Sequence, residues 1–91
     1  MSSLRLPRML ASAANTELRH QVAGSEVSDV FSDLFKAKPG LRNHILDENG
    51  EIRPHVSVFV DGVQADLASP VEENSEIRIL HAVSGGTSTG A

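Results

Sequence analysis

The sequence predicts a single α+β domain in which one main helix packs on one face of a mixed sheet of about four to five strands. Three observations predict it. Val27, Val30, Phe31, Leu34 and Phe35 fall at i, i+3, i+4, i+7 and i+8, a single apolar helical stripe. Val56, Val58 and Val60 alternate with Ser57, Phe59 and Asp61, the period of a strand with one buried face. Ile77 and Ile79 alternate with Arg78 and Leu80 in the same way. Strands on both sides of one helix, without an internal repeat or a long linker, fit a sheet covered by that helix. A chain of 91 residues holds one such domain.

Each element follows in order. Leu4 and Leu6 alternate with polar positions, and Met9 and Leu10 follow Pro7. This reads as a first strand that tolerates an edge, because proline cannot donate to a ladder. Residues 11–15 are small and polar, a turn. Residues 17–22 form a second strand, with Leu18 and Val22 on one face, Arg19 on the other and His20 imperfectly placed on the apolar side. The two strands read as an N-terminal hairpin closed by Gly24.

Residues 25–38 are the clearest helix. Ser25 is its expected N-cap, Glu26 and Asp29 favour the positive first turn, and Lys36 and Lys38 favour the negative end. Pro39-Gly40 stops it. Phe31 and Phe35 read as core. Residues 41–47 suggest a short helical turn and 47–50 a loop. Residues 55–61 form a strand, and Asp61-Gly62 is a hairpin turn signal. Residues 63–67 return, 70–75 make an acidic loop and 76–83 the last strand.

Composition excludes several classes. There is no cysteine, so disulfides, thiolate metal sites and cysteine nucleophiles are absent. There is no Trp or Tyr, and the net charge is −4, which argues against base stacking and phosphate-backbone binding. Along the chain the six Arg and two Lys form no basic stripe, so no nucleic-acid partner is expected. No apolar run approaches the length of a membrane span, and no membrane partner is expected. Residues 1–14 carry two arginines and no acid, as targeting segments do. Arg5, Pro7 and Arg8 interrupt any apolar stretch there, so a first strand is the better reading.

Catalytic motifs are lacking. His20, His44, His55 and His81 show no metal-ligand spacing, so no metal site is expected. The carboxylates are scattered, and Glu72-Glu73 reads as a solvated loop. No nucleophile elbow, phosphate loop or dinucleotide fingerprint occurs. The unusual segment is the end: Ser84-Gly85-Gly86, then Thr87-Ser88-Thr89-Gly90-Ala91. Alone, this reads as a frayed tail. Its place, just beyond a final strand, gives the Gly-Gly pair its interest.

Three stretches carry a resemblance: 27–40 with Leu41-Arg42 after it, Arg53-Pro54-His55-Val56-Ser57-Val58-Phe59-Val60-Asp61-Gly62, and 76–86 ending in Ala82-Val83-Ser84-Gly85-Gly86. With them the chain resembles the ubiquitin-like β-grasp sulfur carriers of the ThiS/MoaD superfamily, above all the cysteine-biosynthesis type. The resemblance spans nearly the whole chain to Gly86. It departs where His81 stands at a position that many relatives fill with proline, and where Thr87 and the residues after it follow the Gly-Gly. It implies a β-grasp domain over 1–83, a flexible tail over 84–86 and an extension over 87–91 removed by proteolysis.

The resemblance also implies a mechanism and partners. A deubiquitinase-like metalloprotease would cut between Gly86 and Thr87. An adenylating, sulfur-transferring enzyme using ATP and Mg would activate the Gly86 carboxylate and convert it to a thiocarboxylate. A biosynthetic enzyme would then accept the sulfur. The chain would be a protein co-substrate, not an enzyme, with no bound cofactor and a cytoplasmic location. Adenylation is needed because a carboxylate is a poor electrophile. Ser84, Gly85 and Gly86 would thread a narrow channel, where a Cβ would restrict φ and crowd the walls. Five extended residues from Ala82 reach about 16–18 Å.

Alternation suggests the docking surface. Phe59 lies opposite Val58 and Val60, and Leu80 opposite Ile79, so both are expected to be exposed on the free face of the sheet. In ubiquitin the two main apolar patch residues hold matching positions. Three other readings stay open: the small subunit of a molybdopterin-synthase-like complex, a ubiquitin-like modifier joined to lysines through Gly86, and a plain interaction module.

Overall fold

A computed structural model describes residues 1–81, and the expected boundary at residue 83 lies outside them. In chain order the elements are β1 (Ser2–Arg5), α1 (Arg8–Ala13), β2 (Arg19–Val22), α2 (Val27–Ala37), a 3₁₀ turn (Pro39–Leu41), α3 (Arg42–Ile45), β3 (Val56–Val60), β4 (Val63–Ala65) and β5 (Glu76–His81). The five strands form one mixed sheet in the order β2-β1-β5-β3-β4. β1 and β5 run parallel at its centre, and every other neighbouring pair is antiparallel.

One face of the sheet carries the core. Leu4, Val22, Val56, Val58, Ile77 and Ile79 point into it and are buried. The apolar stripe of α2 covers them: Val27, Val30, Phe31 and Leu34 are buried, and Phe35 packs at the margin with its ring 5.7 Å from that of Phe31. Leu41 and Ile45 from the short helices after α2, and Leu6, Leu10 and Ala11 in and before α1, complete the buried cluster. Burial of these side chains is the main stabilising term, at about 1.5–3 kcal/mol for each large apolar residue.

Several expectations need correction. Met9 and Leu10 lie in α1, not in a strand or its turn. Pro7 has extended φ and ψ and lacks an N–H, so the β1 ladder ends at Arg5. The Pro7 carbonyl then accepts from the Ala11 N–H at 3.1 Å, which starts a helical turn that buries Leu10 and Ala11. β1 is not an edge strand, because β2 and β5 flank it. The predicted pairing of the first two strands is present, joined through a helix instead of a tight turn.

Ser25 is not the N-cap of α2. Glu26 holds that position, without a side-chain cap. The Val27 and Ser28 N–H groups donate instead to the carbonyls of Ser69 and Leu67, both at 3.0 Å. Backbone from the loop before β5 thus satisfies the orphan donors that a cap would otherwise serve. The hairpin between β3 and β4 turns as the Asp61-Gly62 pair predicts, with φ of 51° and 86° at the two residues. Positive φ at both central positions matches the twist of the flanking strands. β4 is shorter than 63–67 because Asp66 begins a turn, accepting from the Ala68 N–H at 3.0 Å.

Candidate functional site

Among the described residues no helix packs on the sheet face away from α2, whose strand positions are exposed or half-buried, and β5 lies at its middle. Glu76, Arg78 and Leu80 project from β5 toward solvent, while Ile77 and Ile79 go to the core. This follows from the period-two alternation of the strand. Leu80 is 45% exposed, a large apolar side chain left in water. Phe59 is on the same face but is half-buried, not exposed as expected. It sits opposite Arg78 in the register, and the long Arg78 stem is within reach to cover it. Phe59, Gly62, Glu76, Arg78 and Leu80 together line a shallow hollow. The two residues expected at a docking surface are therefore brought together.

Register builds a second feature here. Arg19 on β2 pairs with Arg5 on β1, Arg5 pairs with Arg78 on β5, and Arg78 pairs with Phe59 on β3. All three arginines are exposed. The expectation that the basic residues form no stripe is therefore wrong in three dimensions. Positions 5, 19 and 78 are far apart along the chain, and only strand register aligns them. The one legible signal was that each occupies a solvent-facing position of a strand.

At its far end β5 finishes the described chain with His81. The His81 ring meets that of His55 edge to face. Burial, first, and then the nearby His55 and His44 push the His81 pKa below its ordinary 6.5. Its Nδ1 is buried without a hydrogen-bond partner among the described residues. His20 lies elsewhere, with its Nε2 3.3 Å from the Thr16 hydroxyl oxygen, on the side where Ala11 and Lys38 line another hollow. Among the described residues no group of three or more potential ligands can hold a metal ion. None of their helices is long and apolar enough to cross a membrane. The expected tail and cleavage residues Ser84, Gly85, Gly86 and Thr87 lie outside the described residues.

This mixed sheet, with its main helix packed on one face, is the ubiquitin-like β-grasp fold. Comparison with known proteins narrows the class. No family model matches the chain. Small archaeal modifier protein 1 of Haloferax volcanii is 29% identical over 75 residues, covering 81% of this chain and 86% of the relative. Its crystal structure superposes with a TM-score of 0.79 over 93% of this chain and 98% of that one, at 29% identity. The CysO chains share the fold at 20% identity. The one in the Amycolatopsis orientalis BexX/CysO complex gives a TM-score of 0.85 over 94% of this chain and 100% of that one. Mycobacterium tuberculosis CysO gives 0.82 over 91% and 100%. The chain thus has the ubiquitin-like β-grasp fold and is similar in sequence to a small archaeal modifier protein.

Proposed function

We propose that this protein is a sulfur carrier whose working atom is the carboxyl carbon of Gly86. The observation that supports this reading is the place of Gly85-Gly86 in the chain, shortly after the central strand of a β-grasp sheet. A deubiquitinase-like metalloprotease removes residues 87–91 and frees the carboxylate. A ubiquitin-activating-type enzyme, using ATP and Mg, joins it to AMP and releases pyrophosphate. Sulfur at the sulfide level then displaces AMP and leaves a thiocarboxylate, the donor for a sulfur-accepting biosynthetic enzyme. Phe59 and Leu80 dock the folded body while Ser84, Gly85 and Gly86 enter the active site of the partner. The neighbour solved in the BexX/CysO complex supports a separate partner protein for this fold.

The test uses two forms, the intact chain and one ending at Gly86. Each is incubated with the host adenylating enzyme, ATP and a sulfide source, and its intact mass is measured. The shorter form gains the mass of one oxygen exchanged for one sulfur, and the intact form does not change. Conversion of the intact form, or of neither, overturns the proposal.

A second reading rests on the name of the modifier relative. In it the Gly86 carboxylate forms an isopeptide bond with target lysines. Adducts of higher mass on a denaturing gel of host extract, lost with Gly86→Ala, support it.

A further inference from the structure

Arg19, Arg5 and Arg78 stand side by side on three adjacent strands, spanning about 10 Å at the usual strand spacing. Like charges directly opposite one another destabilise a sheet. Nothing local offsets that cost: among the described residues none of the three guanidiniums forms an ion pair, and the only one present joins the N-terminal amine to Glu73 at 3.2 Å. Glu76 is the one carboxylate projecting from the same face of β5. The chain as a whole carries a net charge of −4, so this face is a basic island on an acidic protein. Arg5, Pro7, Arg78 and Leu80 share a second shallow depression, which joins the row to the exposed leucine.

We propose that this row is the charge-reading half of a protein docking face and that its occupant is an acidic surface of the adenylating partner. The inference rests on the carrier reading for the identity of that partner. Guanidiniums bind carboxylates through paired, planar hydrogen bonds, so three in a row select a line of Asp or Glu side chains. The adjoining apolar residues, Leu80 and Phe59, fit a protein surface better than a phosphate backbone. Opposite charges also speed encounter before contact, and salt weakens that effect.

Association of the host adenylating enzyme with the full chain is followed by stopped flow at low and high salt. Arg5→Glu/Arg78→Glu is expected to lower the association rate about tenfold or more and to flatten its salt dependence. Lys36→Glu/Lys38→Glu makes the same change in net charge at the end of α2, away from the row, and is expected to change the rate by less than about twofold. Circular dichroism of each variant confirms that it is folded. Equal effects of the two double variants, no effect of either, or no binding of the unsubstituted chain overturn the proposal. Tighter binding to duplex DNA than to the enzyme overturns it as well. Binding that depends on the arginines, with no thiocarboxylate formed on the form ending at Gly86, leaves the row standing and removes the carrier reading. Thiocarboxylate formation on that shorter form, with binding that ignores the arginines, does the reverse.

Discussion

The rings of His55 and His81 meet nearly at right angles, with centroids 4.7 Å apart, where β3 begins and β5 ends its described course. His81 lies opposite Val56 in the register, so its neighbour His55 is brought against it. Burial and two nearby histidines favour the neutral His81 ring, and its pKa falls below 6.5. The unfolded chain titrates near 6.5 and therefore binds more protons than the folded one just below that pH. The His81 contribution to stability is thus complete above 6.5 and is lost as pH falls toward the lower folded value. We predict that His81→Gln weakens the loss of stability between about pH 7.5 and about pH 5.5. Urea midpoints for both forms at each pH check this. Equal losses in the two forms would remove His81 as a source.

Glycine substitutions should separate by location. At Gly24, φ is +150° and an added Cβ would lie 2.6 Å from Asp29 Cβ and 2.8 Å from the Val30 nitrogen. Those atoms belong to α2, which cannot yield without disturbing the core. Gly24→Ala is predicted to cost about 2 kcal/mol or more. At Gly40 nothing stands within 4 Å and φ is not positive. Gly40→Ala is predicted to stabilise by about 0.4–1 kcal/mol through the unfolded chain. Thermal melting of both variants reads the opposite signs directly.

Periodicity made most of this fold legible. The stripe of α2 and the alternation of β3 and β5 depend on near neighbours in sequence, and these elements stand where the pattern puts them, to within a few residues at their ends. The hidden parts depend on partners far along the chain. The N-terminus of α2 is satisfied by carbonyls of Leu67 and Ser69, so Ser25 was a sound local choice that tertiary contacts replaced. Met9, Leu10 and Ala11 are too short a run to reveal a helix before Pro7 is known to end the ladder. The candidate site divides in the same way. Phe59 and Leu80 could be assigned to one face by alternation, whereas the arginine row needed the register of three strands.

Phe31 tests the core. It is 1% exposed, in the middle of the buried stripe of α2, and its ring also supports Phe35. Phe31→Ala removes buried apolar volume and leaves a cavity that the sheet beneath cannot fill. The predicted loss is about 3–5 kcal/mol, a large part of the stability of so small a domain. Phe31→Leu keeps more of the volume and should cost distinctly less. Urea unfolding that fails to separate the two variants would show that packing there is loose.

Leu80 separates stability from recognition. Its side chain is already 45% exposed, so Leu80→Ser removes little buried surface and should shift stability by less than about 1 kcal/mol. Phe59→Ser removes a half-buried ring beside Arg78 and should cost about 1–2 kcal/mol. A docking face behaves otherwise. There an exposed leucine becomes fully buried against the partner, and its removal weakens binding by about tenfold or more. Calorimetric titration of the proposed adenylating partner with each variant, beside its urea midpoint, distinguishes the cases. Leu80→Ser should bind weakly while remaining as stable as the parent chain. Unchanged affinity would exclude Leu80 from the docking face, because its loss cannot be masked by unfolding.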